Sequence, residues 1–310
     1  MKVSLRVGTS SPFFLILLAL LLFLTLYGSA QAPESAKPPV ENQAEPPPFY
    51  CPMDPEIRAK LGGKCSKCGM DLVLGIPDPV EYQVSLRTVP PVVEPGRPVR
   101  LEFEVREPGH DHRVHDFAVV HEKIFHLLYV SHDLEIFGHE HPKLGDDAVF
   151  RLETVFPKAG LYRLLADFYP AGATPQMAPL TLATAGFDQS LESSLANLSA
   201  DLDPKHGSNL TISLRTEPPE PIAALKTLLF FELDTADGLE KFLGAWAHIL
   251  AASQDLVDLI HAHPAIADGG PRIQVNVIFP RPGFYRIWIQ VQRDGKVNTV
   301  SFTVPVKKLE

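Results

Sequence analysis

HLLYVSHDLEIFGHEHP at residues 126–142 returns as HILAASQDLVDLIHAHP at residues 248–264, with eight identities in seventeen positions. Unrelated segments of ordinary composition would share about one. The repeat extends on both sides. SLRTVPP at 85–91 returns as SLRTEPP at 213–219, and FPKAGLYR at 156–163 returns as FPRPGFYR at 279–286. Three segments recurring in the same order make two similar domains.

Within each copy, short apolar segments alternate with turn signals about every ten residues. In the first copy the expected strands are 82–88, 99–105, 116–120, 125–131, 149–156, 161–168 and 180–184. Alternation is clear in Val99-x-Leu101-x-Phe103-x-Val105 and in Ile273-x-Val275-x-Val277; period two buries one face of a strand. About seven short strands in roughly a hundred residues predict a β-sandwich, Ig-like or cupredoxin-like. Tyr162 and Tyr285 follow a Pro/Gly turn by two residues, as a corner tyrosine does. Between the copies, Asp188 precedes SLESSLANL, which reads as a capped helical connector. The expected domains are 80–186 and 209–308, joined by 187–208.

The chain has 310 residues, 45% hydrophobic and 21% charged, with a formal net charge of −9. That composition suits a globular protein and excludes wholesale disorder. An acidic chain without basic runs is a poor match for nucleic acid or anionic membrane surfaces. It suits a cation.

Twelve histidines are present. Copy one holds His110, His112, His115, His121, His126, His132, His139 and His141, and copy two keeps His248, His261 and His263. Each copy therefore retains one strand histidine plus an HxHP ending. Residues two apart in an extended segment project to the same side. His126, His139 and His141, and likewise His248, His261 and His263, could each form a three-nitrogen site for copper or zinc. The alternative is a hydrogen-bonded corner that only locks the loop, since Asp133 and Asp255 also recur. His110, His112 and His115 read as an exposed loop, with an auxiliary metal site as the alternative. His121-Glu122 through His126 forms HExxxH, one residue too long for the helical zinc-protease motif, and copy two has Leu243 and Gly244 there. No nucleophile elbow, phosphate loop or acid/base pair stands out. No catalytic residue is assigned, and the chain reads as a non-enzyme.

Lys2 and Arg6 precede an apolar run at 13–26 and the small residues Gly28-Ser29-Ala30. This is the layout of a secretory signal over residues 1–30, with an uncleaved anchor as the alternative. Residues 31–48, QAPESAKPPVENQAEPPP, hold six prolines and read as an extended linker. The expected location is extracytoplasmic, periplasmic or secreted, with no membrane role beyond an N-terminal anchor.

All three cysteines fall within YCPMDPEIRAKLGGKCSKCGMDLVL at 50–74. Cys65 and Cys68 form a CxxCG turn that aims two thiolates at one spot. Cys51-Pro52-Met53 and Cys68-Gly69-Met70 echo each other. Thiolate plus thioether is a soft ligand set that favours Cu(I). So short a module cannot bury enough apolar surface to fold alone, and a metal could supply the missing stability. The alternatives are a Cys65–Cys68 disulfide and a structural zinc knuckle.

This segment resembles the small heavy-metal-binding domain of copper and silver efflux components, roughly Y-x-C-P-M-H-P-E…P-G-K-C-P-K-C-G-M-D-L. Cys51, Pro52, Met53, Pro55, Glu56, Gly63, Lys64, Cys65, Lys67, Cys68, Gly69, Met70, Asp71 and Leu72 match it. Asp54 replaces the usual histidine and Ser66 the usual proline, which leaves the fourth ligand open. The resemblance implies a metal module at 49–76 that hands its ion to an efflux-system partner. The remainder resembles secreted tandem β-sandwich proteins with a D-L-x-x-F-x-H-x-H-P stretch, Asp133 to Pro142 here; that likeness implies no activity.

The expectation is a mainly β protein: a zinc-knuckle-like metal module, then two tandem sandwiches. It would capture or transfer copper, as Cu(I), or zinc or a similar heavy metal. Cys51, Cys65 and Cys68 would hold the ion, with Met53 or Met70 as a labile ligand. The rivals are a structural or adhesive Ig-like protein with a zinc knuckle, and a copper-dependent redox enzyme using the histidine trios.

Overall fold

Val99, Leu101, Phe103 and Val105 alternate along one strand and are all buried, so the period read from the sequence is the period of the fold. The computed structural model describes residues 49–51, 57–66, 69, 71–74, 81–171 and 173–310. The signal segment, the linker, Met53, Asp54, Cys68 and Met70 lie outside the described residues. Among the described residues, no helix is long and apolar enough to cross a membrane.

The described residues open with a three-stranded patch of β1 (Phe49–Tyr50), β2 (Arg58–Ala59) and β3 (Val73–Leu74), with β1 between the other two. The first sandwich holds β4 (Gln83–Val89), β5 (Pro98–Arg106), β6 (Phe125–Ser131), β7 (Phe137–Glu140), β8 (Lys143–Leu144), β9 (Val149–Val155), β10 (Leu161–Phe168) and β11 (Gln176–Ala183). The second holds β12 (Lys205–His206), β13 (Thr211–Glu217), β14 (Lys226–Leu233), β15 (Leu239–Glu240), β16 (His248–Ser253), β17 (Leu259–Ala262), β18 (Pro264–Ile266), β19 (Arg272–Ile278), β20 (Gly283–Arg293) and β21 (Lys296–Val306).

Each sandwich has two sheets. In the first they are ordered β4-β5-β9-β8 and β11-β10-β6-β7. In the second, β13-β14-β19-β18 and β21-β20-β16-β17 repeat that order, with β12 and β15 added. In immunoglobulin lettering these are the A-B-E-D and G-F-C-C′ sheets. The order settles the fold as Ig-like.

The corner tyrosines hold. Tyr162 donates its hydroxyl to Lys158 O at 2.9 Å, and Tyr285 donates to Arg281 O at 3.0 Å. Both sit fully inside their cores. The recurring aspartates brace the neighbouring turns: Ser253 Oγ donates to Asp255 Oδ1 at 2.7 Å, as Ser131 does to Asp133.

Three expectations are corrected. Residues 116–120 form no strand. They strap the chain just past β10 through the isolated bridge of Phe117 with Pro170, and Val120 with Lys123 closes a tight turn after it. The connector is one helical turn, Leu191–Ser194, rather than a helix over SLESSLANL. A segment that short is a marginal helix in isolation, and its apolar residues Leu195, Ala196 and Leu198 instead pack between the sandwiches. The structure also adds β7 and β8, absent from the expected strands.

Strands β6 and β16 are buried along their whole length. Phe125, Leu127 and Tyr129 face the first core, and Ile249 and Ala251 the second. The residues between them face outward, where Leu128, Val130 and Leu165 meet Leu250, Ala252 and Trp288 in a third apolar cluster. Phe137 stacks on Trp288 with ring centroids 5.5 Å apart. The two G-F-C-C′ faces thus pack on each other, and strands covered on both sides lose their alternation. Leu128 and Leu250, each 1% exposed, contribute roughly 2 kcal/mol apiece by burial.

Candidate metal centres

The outward rows of the packed faces end in histidine. His126 pairs with Asp167 across β6 and β10, and its counterpart His248 pairs with Gln290 across β16 and β20. One row on, His139 lies opposite Leu128 and His261 opposite Leu250. Cross-strand partners share a face, so all of these side chains are directed at the other repeat.

The two repeats hold each other's rings. His139 donates Nδ1–H to Gln290 Oε1 at 2.8 Å, and His261 donates Nδ1–H to Asp167 Oδ2 at 2.6 Å. Gln290 Nε2 donates to Thr299 Oγ1 at 3.2 Å, which turns its oxygen toward His139. The strand histidines are anchored locally: His126 donates Nε2–H to Val120 O at 3.0 Å and His248 donates to Phe242 O at 2.9 Å. Each of these four rings therefore presents a lone pair from its other nitrogen.

Those nitrogens converge. His126 Nδ1 lies 3.1 Å from His139 Nε2 and 3.2 Å from His141 Nε2. Ligand nitrogens around a tetrahedral zinc ion stand roughly 3.3 Å apart. His263 Nε2 lies 3.1 Å from His248 Nδ1. Two groups bring three ligand nitrogens within 4.8 Å of one another: His126, His139 and His141, and His139, His248 and His261.

The first group is the trio expected from spacing. The second is a correction: its third member is His139 of the first repeat, in place of His263. His263 stays beside His248 but stacks on His121, with centroids 3.8 Å apart. The rings of the first trio point together, while His126 is 3% exposed; the redox reading also needs solvent access. His110 and His112 remain on an exposed loop.

Burial keeps these rings neutral. It holds His139 down to about 2, His248 to about 3, His263 to about 2 and His141 to about 4, and lowers His121 and His126 as well. Neutral imidazole is the ligating form. His261 Nε2 and Asp167 Oδ1 are buried without a hydrogen-bond partner, a deficit worth about 1–3 kcal/mol per buried polar group.

Two residues of this centre, Asp167 and Gln290, escaped the sequence analysis, and a third, His121, was read there only within the HExxxH stretch. Asp167 in LYRLLADF and Gln290 in FYRIWIQV are polar residues at buried positions of apolar strands, and that contrast was the available signal. His121 sits in a tight turn with Glu122, both at positive φ (48° and 65°), matched by Leu243 and Gly244 in the second repeat. The turn, not a helix, carries it to His263.

In the amino-terminal module, Cys51 and Cys65 are 0% and 3% exposed. Among the described residues of 49–74 these two are the buried ones, while Leu61, Val73 and Leu74 are exposed. Cys51 N–H donates to Ile57 O at 3.0 Å, and Gly69 N–H donates to Cys65 O at 2.9 Å. Gly69 has φ +77, the left-handed conformation that glycine allows where the knuckle doubles back. Lys64 and Asp71 close its base at 2.7 Å. A module that buries sulfur and exposes hydrocarbon is built around something other than an apolar core.

A family profile described as Domain of unknown function (DUF8832) matches residues 78–186 and again residues 192–308. The chain belongs to this family. Its two matched stretches are the two sandwiches, so the histidine centre of this DUF8832 protein lies between its two copies of the domain. A second profile, Heavy metal binding domain, matches residues 49–73. No curated protein matches the chain.

Solved structures resemble this DUF8832 chain only distantly. The Escherichia coli adhesin FdeC is 14% identical, with 80% of this chain and 75% of that one covered, at a TM-score of 0.24. A two-domain fibronectin type III segment of chicken tenascin is 12% identical, with 73% and 98% covered, at 0.20. Salmonella α2-macroglobulin is 10% identical, with 79% and 18% covered, at 0.25. Such scores carry no argument, and the Ig-like assignment rests on strand order.

Proposed function

We propose that this DUF8832 protein is exported, captures copper or a similar soft metal ion outside the cytoplasm, and passes it to a partner such as an efflux component. The carrying observation is the inverted burial of the 49–74 module, in which cysteine is interior and leucine and valine are exterior. Cys51, Cys65 and Cys68 are the ligands for Cu(I), with Met53 or Met70 as an exchangeable fourth. The match to the heavy-metal profile supports the module's role as a metal binder. Imidazoles prefer borderline ions such as Cu(II) and Zn(II), so the sulfur and nitrogen sites divide the ions by softness. Export is supported by the charged, apolar and small-residue order of residues 1–30.

The test is metal analysis and competition against a chromogenic Cu(I) chelator, on the full chain and on its Cys65→Ser/Cys68→Ser variant. The expected result is competition by the parent chain that the variant loses. Zinc at the module with no competition for Cu(I) overturns the copper reading in favour of a structural knuckle.

A further inference from the structure

His139 belongs to the first repeat and His248 and His261 to the second, yet these three offer ligand nitrogens within 4.8 Å of one another. Their outer nitrogens are all committed to oxygen acceptors: Gln290 Oε1 at 2.8 Å, Phe242 O at 2.9 Å and Asp167 Oδ2 at 2.6 Å. Their inner nitrogens therefore carry lone pairs that face one another. The His261 side chain is 1% exposed, and its inner nitrogen, Nε2, has no hydrogen-bond partner. His248 Nδ1 can accept from His263 Nε2 at 3.1 Å. His139 Nε2, however, faces His126 Nδ1, whose ring proton is spent on Val120 O, and His261 Nε2 faces no donor. A cation among these nitrogens satisfies the lone pairs that no N–H reaches.

We propose that His139, His248 and His261 form one metal centre shared between the two repeats, taking a divalent ion that favours imidazole, Cu(II) or Zn(II). The inference rests on reading the chain as a metal binder, but it concerns nitrogen ligands far in sequence from the cysteine module. Its ligand set differs from the symmetrical arrangement of one trio per repeat. The reason is the crossed anchoring: the ring of His139 is held by the second repeat and the ring of His261 by the first. Neither sandwich alone positions all three nitrogens, so the ion staples the two together.

The Asp167–His261 pair is the carboxylate–imidazole arrangement that orients a metal ligand and raises its basicity. Its counterpart, Gln290–His139, is neutral, so the two halves of the centre are unequal by one charge. His126 is in ring contact with all three, its centroid 5.4, 6.1 and 5.9 Å from those of His139, His248 and His261, while His263 lies nearer to His248 and His261, at 4.8 and 4.5 Å. An ion held through His139 Nε2 withdraws that nitrogen from the group with His126 and His141, so the two groups compete for it.

The experiment uses the full chain, stripped with a chelator and given one equivalent of Cu(II), with electron paramagnetic resonance as the readout. The expected spectrum shows coupling to at least three nitrogens. His139→Gln and His261→Gln each remove that signal, whereas His263→Gln and Cys65→Ser keep it. Asp167→Asn keeps the spectrum but weakens affinity 10- to 100-fold. Loss in His263→Gln with retention in His139→Gln overturns the shared centre in favour of a site within the second repeat. An unmutated chain whose Cu(II) shows no nitrogen coupling, and whose melting temperature is unmoved by Zn(II), overturns it without recourse to variants. If Cys65→Ser abolishes Cu(I) capture while the nitrogen-coupled signal persists, the shared centre stands apart from the module. If Cu(I) capture is absent even in the parent chain but the signal persists, only the copper-transfer reading fails.

Discussion

Asp167 and His261, 94 positions apart and on different repeats, meet at 2.6 Å with both side chains buried. Asp167 Oδ1 has no second partner. Among the described residues, the contact is therefore the one hydrogen bond that holds this buried carboxyl group at the seam between two sandwiches.

His261→Ala strands that carboxylate. The metal-free variant is expected to lose about 2–3 kcal/mol, read from urea unfolding, because a buried charged acceptor without its donor is costly. Replacing both groups, as His261→Ala/Asp167→Leu, should recover more than half of the loss. A single variant as stable as the parent would show that the pair contributes nothing to the seam.

The histidine centre makes stability depend on pH in one direction. His139, His141, His248 and His263 are all held below the ordinary value of 6.5, to about 2, 4, 3 and 2. Below pH 6.5 the unfolded chain binds protons that the folded chain refuses, so stability is complete above that pH and falls as the pH drops. Each such ring contributes at most about 1.4 kcal/mol per pH unit; His139, His141 and His263 are partly exposed and count for less. Denaturant midpoints of the metal-free chain should be level from pH 8 to 7 and fall steeply from 6.5 to 4.5. A flat profile across the lower range would remove the neutral-imidazole account.

Gly138 lies opposite Tyr129 in the β6–β7 register, and a Cβ there would run into the tyrosine ring. Tyr129 is 7% exposed and packed into the first core, so it has little room to retreat. Gly138→Ala is expected to cost about 2 kcal/mol as an overpacked core does, and to displace the adjacent His139. The check is paired: a lower urea midpoint, together with weaker binding of Cu(II) by the folded variant. Loss of stability with unchanged binding would mean that β7 tolerates the shift.

Tyr285→Phe removes the hydroxyl whose one proton is shared between Arg281 O at 3.0 Å and Asp258 Oδ2 at 2.8 Å. Tyr162→Phe removes the bond to Lys158 O and the acceptor for Lys158 N–H at 3.4 Å. Each should cost about 1 kcal/mol, with the Tyr285 change the larger because Asp258 also loses a partner. Equal and negligible effects would reduce the corners to packing.

Much of the fold was legible because strand patterning is local. Strands 125–131 and 161–168 fall where the sequence places them, β6 and β10. The short β7 and β8 escaped: GHEHPKL carries no alternation long enough to read. Residues 116–120 misled because their apolar residues are spent on strapping the chain just past β10, with Val119 left 68% exposed. The histidines themselves were legible as recurring ligand candidates, and so was the first trio.

Composition and repetition alone determined two sandwiches, a cysteine module and a histidine at each recurring position, since those properties depend on neighbours a few residues away. Which histidines come together was decided only by docking. The outward face of a strand can meet solvent or another domain, and nothing in HLLYVS or HILAAS says which domain or in what orientation. Once the two faces pack, Gln290 takes His139 and Asp167 takes His261, and histidines that looked like one group per repeat gather across both.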